Sequence, residues 1–225
     1  MAFTDNVFNN ALKNSTRTHF TTPIYPYPTD LIIMRNGVVP ELIIEQLRGI
    51  ADTQESPDKA TTVKRFEDGR KEPELNPNVR NTDWYNIPEE LHRNLEQAVS
   101  STYFQWMQPK YNCEFKSYEP VQFLGYPRGG HYLVHIDGES TERERIMERD
   151  ISVIYYLNEE FGGGELEFPE LGLTIKPKKG MMIAFPSYRE FAHTVHPVTW
   201  GHRYSLVSWI ATQQSLYETI PSKGV

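Results

Sequence analysis

After Pro109 the chain is cut into short apolar runs by Gly and Pro. "CEFKSYE", "VQFLGYP", "HYLVHID", "ISVIYYLN", "GELEFP", "LTIKP", "MMIAFP" and "RYSLVSWIA" follow one another in this way. Runs this short, with turn formers between them, predict many small antiparallel strands. They do not fit strands alternating with long crossover helices, so the second half should fold as a sandwich or jelly roll.

The first half reads differently. In "IPEELHRNLEQAVSSTYFQWM", Leu91, Leu95, Val99 and Tyr103 recur every four positions, as one face of a helix requires. Glu89 and Glu90 stand in its first turn, where the helix dipole favours acids. "MRNGVVPELIIEQLRGIAD" predicts a second helix with Leu42, Ile43, Leu47 and Ile50 on its apolar face and Pro40 tolerated at its start. Between them, "TQESPDKATTVKRFEDGRKEPELNP" is charged and interrupted, and reads as an exposed loop over about residues 53–77. Helices followed by an antiparallel core make an α+β protein in which helices brace one sheet. A single domain over 1–225 accommodates this. Its parts are an N-terminal arm (1–30), a helical support (31–110), a β core (111–212) and a C-terminal tail (213–225).

Composition narrows the chemistry. A formal charge of -7 argues against a broad electrostatic grip on nucleic acid. Cys113 is the only cysteine, which excludes an intrachain disulfide framework and any thiolate metal cluster. A bound metal would need His, Asp or Glu. "MAFTDNVFNNALKNSTRTHF" has no long apolar run, and no other segment approaches membrane length, so the expectation is a cytoplasmic protein.

Seven histidines are present, and five of them lie in the β half. His135 and Asp137 form an H-x-D at the end of one candidate strand; strand alternation points both the same way. Alone, this is either a hydrogen-bonded pair or two ligands of one ion. The segment "FAHTVHPVTWGHRYSLVSW" adds His193, His196 and His202, and then Arg203 at the start of an apolar strand. Two imidazoles and one carboxylate leave about half of an octahedral sphere open, the arrangement suited to non-haem Fe(II). A guanidinium directed into a β core is costly without an anion. A dicarboxylate ligand would provide one and would be gripped by two parallel hydrogen bonds.

"YPRGGHYLVHID", "DISVIYYLNEEFGGGELEFP" and "HTVHPVTWGHRYSLVSW" together resemble the 2-oxoglutarate/Fe(II)-dependent oxygenases, specifically the prolyl 4-hydroxylase-like group. The resemblance is close over roughly Val121 to Ile210. It implies a double-stranded β-helix core with His135, Asp137 and His193 as the metal ligands and catalytic centre. It also implies Arg203 as the anchor for the far carboxylate of the cosubstrate 2-oxoglutarate. Both His193 and His196 precede the last strand, and the family pattern "H-T-V-x-P-V-x-x-G-x-R" puts His193 in the ligand slot. Tyr126 and Tyr156 match cosubstrate-binding positions; otherwise each is an aromatic core residue with a satisfied hydroxyl. Trp209 shares the face of Arg203 and either walls the cosubstrate pocket or fills the barrel, whereas alternation places Tyr132 opposite His135, in packing or against substrate. His131 would sit at the rim. "FGGGELEF" matches a glycine-rich turn before a core strand. In the charged link "ESTERERIMERD", Arg143, Arg145 and Arg149 are candidates to meet a substrate peptide.

What the resemblance implies is hydroxylation of a peptidyl proline, with 2-oxoglutarate converted to succinate and CO2, dioxygen as the second cosubstrate and ascorbate as a candidate reductant. A free amino acid or another protein side chain is the alternative substrate. Asp137 speaks against a halogenase, which needs that ligand position for halide. A nucleic-acid demethylase fits the acidic charge poorly. A non-catalytic cupin-like module leaves Arg203 unexplained.

Overall fold

The computed structural model describes residues 28–65, 71–138, 149–214 and 216. Most of the N-terminal arm (1–27), Arg143, Arg145 and most of the C-terminal tail lie outside these residues. In chain order the first elements are β1 (Ile33–Arg35), α1 (Glu41–Thr53), β2 (Asp58–Lys59), β3 (Thr62–Arg65), β4 (Lys71–Glu74), β5 (Arg80–Asn81) and β6 (Asp83–Tyr85). Then come α2 (Glu89–Thr102), a π-helical turn (Tyr103–Met107) and α3 (Gln108–Tyr111). The β core follows as β7 (Phe115–Tyr118), β8 (Gln122–Tyr126), β9 (His131–His135), β10 (Ile151–Tyr156), β11 (Phe161–Gly163) and β12 (Leu166–Phe168). It ends with β13 (Leu173–Ile175), β14 (Met182–Pro186), β15 (His193–Val195), β16 (Val198–Gly201) and β17 (Arg203–Thr212).

Every ladder is antiparallel. The major sheet runs β1-β14-β10-β17-β8-β6-β2, with β7 also paired to β17. The minor sheet runs β13-β12-β15-β9-β5, and β11–β16 and β3–β4 form separate two-stranded pairs. Two facing antiparallel sheets with this interleaved order are the jelly roll, or double-stranded β-helix, that the punctuation pattern predicts. The support is less purely helical than expected, because β1, β2 and β6 extend the major sheet and β5 extends the minor one.

β10 explains why helices are needed. All six of its residues are buried, so the strand must be covered on both faces. The Tyr155 hydroxyl meets Thr102 Oγ1 of α2 at 2.5 Å, while Tyr156, pointing the other way, lies beneath Arg203. The helices therefore cover one face of the major sheet, and its other face is turned toward the minor sheet. α2 buries the predicted set of Leu91, Leu95 and Val99, and Tyr103 continues it into the π-helical turn. In α1 the buried residues are Ile44 and Leu47, and Leu42, expected on the apolar face, is 65% exposed. The stretch expected to be a plain loop holds β2 and the β3–β4 hairpin, and Thr61, Thr62, Glu72 and Pro73 contribute to a cavity wall.

Candidate active site

The site forms where the ends of β9 and β15 meet. His135 and His193 are direct cross-strand partners. Asp137 lies two residues beyond His135, past the end of the strand. One nitrogen from each imidazole and one carboxylate oxygen all fall within 4.8 Å of one another. His135 Nε2 is 3.5 Å from Asp137 Oδ1, and His193 Nε2 is 3.6 Å from Asp137 Oδ2. The two rings are 4.3 Å apart, centre to centre.

The backbone selects the tautomers. His135 Nδ1 is 2.8 Å from the Leu133 carbonyl, and His193 Nδ1 is 3.0 Å from the Phe191 carbonyl. A carbonyl only accepts, so each Nδ1 carries the proton and donates it, leaving the Nε2 lone pair free. His193 is 3% exposed, and its burial, reinforced by neighbouring His135, pushes its pKa down to about 4. Burial alone would raise Asp137. The facing imidazoles of His193 and His135 and the Ser152 hydroxyl outweigh it and hold the carboxyl below the usual range. The Nε2 atoms of two imidazoles and a carboxylate thus converge, which is a donor set a divalent cation satisfies.

Arg203 occupies the neighbouring part of the same cavity. It opens β17 opposite Tyr126, is 1% exposed, and places its guanidinium 4.5 Å from the Tyr126 ring centre and 4.9 Å from that of Tyr156. Its Nη1 donates to Ser205 Oγ at 3.2 Å. Its Nε, the Tyr156 hydroxyl and Trp209 Nε1 are buried without a hydrogen-bond partner among the described residues. Burial raises the Tyr156 pKa more than the Arg203 charge lowers it, so the phenol stays protonated and can donate. Orphaned buried donors are expensive. Two of them, Arg203 Nε and the Tyr156 hydroxyl, belong to side chains packed against each other, and together they call for an anion.

The enclosing cavity measures about 1040 Å³ and is lined by the triad together with Arg203, Ser205 and Trp209. That is at the upper end of small-ligand sites, leaving room for a second, larger molecule beside a small dicarboxylate.

Tyr132 departs from the alternation expected of a regular strand. Its ring stacks on the His135 imidazole, 3.5 Å apart and 15° from parallel. The cause is a β-bulge: Val195 pairs with Tyr132 and His193 with His135, so three steps on β9 oppose two on β15. The additional residue turns Tyr132 onto the face of His135. It turns His131 away, and that ring's nitrogens sit 3.0 Å from the Gly129 carbonyl and 3.2 Å from the Asn78 carbonyl. His196 is also apart from the triad, with Nε2 2.6 Å from Glu167 Oε2.

Arg149, from the charged link, forms a two-pronged ion pair with Glu119 and stacks 3.7 Å above Trp209. Its Nη1 also reaches the Asp137 carbonyl at 3.4 Å. Arg80 stacks over the outer face of Tyr132 at 4.8 Å. Sequence reasoning passed over Arg80, Ser152, Ser187 and Ser205. For Ser152 and Ser205 the available signal was a small hydroxyl within an otherwise apolar strand.

Residues 121–211 match the family model described as the 2OG-Fe(II) oxygenase superfamily. The chain is 40% identical over 77 residues to prolyl 3-hydroxylase 2 of Mus musculus, covering 32% of this chain and 11% of that protein. It is 37% identical over 90 residues to a PKHD-type hydroxylase of Synechococcus sp. (strain JA-3-3Ab), covering 38% and 39%. It therefore spans only a minor part of these curated relatives. Among solved structures, the viral collagen prolyl hydroxylase from Paramecium Bursaria Chlorella virus-1 aligns with a TM-score of 0.60 and 22% identity, over 82% of this chain and 97% of that one. A Trichoplax adhaerens prolyl hydroxylase in complex with a hypoxia inducible factor peptide fragment aligns with a TM-score of 0.61 and 19% identity, over 86% and 89%.

Residues 121–211 are thus similar to the 2OG-Fe(II) oxygenases, whose cofactor is Fe(II) and whose cosubstrate is 2-oxoglutarate, and the donor set of His135, Asp137 and His193 fits such a metal. In fold the chain resembles the prolyl hydroxylases among these solved structures.

Proposed function

We propose that this protein is an Fe(II)- and 2-oxoglutarate-dependent dioxygenase that hydroxylates a peptidyl proline. The observation that carries the reading is Arg203, a buried cation with an unpartnered Nε, which shares one cavity with three converging metal-ligand atoms. A metal site alone would not need that cation, and a purely structural core would not tolerate it.

His135, Asp137 and His193 would hold the iron. Together, iron and 2-oxoglutarate supply dioxygen activation: one oxygen atom goes into succinate as CO2 leaves, and the other goes into a substrate C–H bond. The chain's own residues bind and position. Arg203 neutralises the far carboxylate of the cosubstrate, with the Tyr156 O–H as a further donor. Tyr126 supports the guanidinium through its ring face. Trp209 and Tyr132 bound the remaining space, where the substrate side chain is held near the metal and kept from water.

The peptidyl-proline assignment draws on the names of the relatives and on a cavity larger than the cosubstrate requires. A cytoplasmic setting goes with it, since a chain whose only cysteine is Cys113 has no intrachain disulfide to lose in a reducing compartment. Among the described residues, no helix is long and apolar enough to cross a membrane.

The test combines Fe(II), ascorbate and 2-oxoglutarate with proline-containing peptides, following succinate and peptide mass. Succinate release coupled to a product heavier by one oxygen atom is expected, and both should be lost in the His135→Ala/Asp137→Ala double variant. Full turnover by that variant would remove the triad from the reaction. Succinate release stimulated by a different amino acid, with proline peptides inert, would reassign the substrate.

A further inference from the structure

We propose that Ser187 and Ser152 form a two-hydroxyl relay that occupies one oxygen of Asp137 and so makes this carboxylate a one-oxygen metal ligand. The inference rests on the metal-site reading above and concerns how the site keeps its open positions.

Ser152 is fully buried on β10, and its Oγ donates to Asp137 Oδ2 at 2.7 Å. The same Oγ lies 2.7 Å from Ser187 Oγ, which is also buried. A serine hydroxyl carries one proton. A carboxylate can only accept, so the Ser152 proton goes to Asp137 and the Ser187 proton must go to Ser152. The relay is therefore directional, Ser187 to Ser152 to Asp137, and each bond polarises the next.

Ser187 also grips the Asp137 loop through its backbone. Its carbonyl accepts from Gly138 N at 2.7 Å, and its own N–H donates to the Asp150 carbonyl at 2.9 Å. The approach is close enough that a Cβ on Gly138 would lie 2.6 Å from the Ser187 oxygen. The H-x-D-G turn, the start of β10 and the end of β14 are thus locked together behind the carboxylate. Oδ1, which takes no part in the relay, lies 3.5 Å from His135 Nε2, while Oδ2 lies 3.6 Å from His193 Nε2.

A free carboxylate offers both oxygens and can chelate a cation, taking two positions of its sphere. With Oδ2 engaged by Ser152, Asp137 would take one, and the three ligand residues would keep about half of an octahedral sphere open for exogenous groups. Ser152 and Ser187 are positioning residues, because they act through Asp137.

The relay can be tested without turnover, by titrating the metal-free full chain with Co(II) and recording the visible absorption of the bound ion. Wild type is expected to bind one equivalent. Ser152→Ala should weaken Co(II) binding about 10- to 100-fold, the range seen when outer-shell partners of metal ligands are lost. It should also change the Co(II) band shape, as Oδ2 becomes free to coordinate. Ser187→Ala should weaken binding by a smaller factor, and Ser152→Thr, which keeps the hydroxyl, should restore the wild-type spectrum.

A loss of packing alone would lower the unfolding temperature of the metal-free Ser152→Ala protein without changing the band shape, and that result would overturn the relay. So would a Ser152→Ala protein with wild-type affinity and spectrum. If wild type itself bound no Co(II) while the His135→Ala/Asp137→Ala variant behaved identically, the metal-site reading would fall, and the relay with it.

Discussion

His135 and His193 face each other across one rung of the β9–β15 ladder. That single register position brings together two imidazoles from opposite ends of the β core. It follows that either ring is dispensable for the fold but not for the ion. His193→Ala is expected to keep the wild-type circular dichroism spectrum while losing stoichiometric Co(II) binding. Turnover should fall by at least about 100-fold, the upper figure for disturbing a metal ligand's surroundings.

Arg203 predicts a split between kinetic constants. Arg203→Ala should raise the KM for 2-oxoglutarate by roughly 10- to 100-fold, as expected for losing a hydrogen-bonded charge pair of about 1.5–3 kcal/mol. The KM for the peptide should change much less. Arg203→Lys should recover only part of the loss, since an ammonium lacks the planar fork and stacks poorly between two rings. Steady-state kinetics with each substrate varied in turn would check this, and an unchanged KM for 2-oxoglutarate would remove Arg203 from the anchor role.

The glycine-rich turn gives a subtler prediction. Gly164 has φ +67°, and a Cβ there would lie 3.0 Å from Arg203 Cδ and 3.1 Å from a ring carbon of Phe161. Gly164→Ala must accommodate both a left-handed backbone and a methyl group pressed on the guanidinium stem. A stability loss of about 1–2 kcal/mol is expected from the backbone alone. Displacement of Arg203 should raise the KM for 2-oxoglutarate several-fold. Gly172→Ala has φ +59° and open space around the added methyl. It should cost similar stability and leave the KM unchanged.

Acid should destabilise the metal-free protein in a defined window. The His193 pKa falls from 6.5 in the unfolded chain to about 4 in the folded one. Between those values the unfolded chain binds a proton that the folded chain does not, so stability drops as pH falls from about 6.5 to about 4. Asp137, held below the usual carboxylate range, adds a second loss below its unfolded value of 3.8. Urea midpoints from pH 7.5 to 4.5 should therefore decline, and His193→Gln should flatten that part of the curve.

The parts of the site legible in the sequence were those carried by chemistry that survives without coordinates. H-x-D, a distal His and a core-directed Arg are unusual residues for apolar strands, and each implies a partner. Trp209 fell on the expected face because β17 pairs regularly from Arg203 to Ile210. Tyr132 did not, because a bulge on β9 adds one residue and no residue type in "HYLVHID" announces it. The serine relay was hidden for another reason. Serine in a strand is commonplace, and only the approach of β14 to β10 gives Ser152 its second hydroxyl. In α1, Leu42 and Ile44 point to opposite sides of the helix, and which of these two apolar residues goes inside was settled by packing.

The major sheet ends in β1, three residues long, and in β2, two residues long. An unpaired strand edge is a template for another chain, and its danger grows with its length. Here either end offers an incoming strand only a few hydrogen bonds before the rim is reached. Edge-to-edge stacking through this sheet would therefore be weakly held, and the exposed aromatic Trp200 on β16 lies on a different pair of strands. The short flanking strands contributed before the β core thus also leave the sheet with little open edge, a consequence separate from any part they play in catalysis.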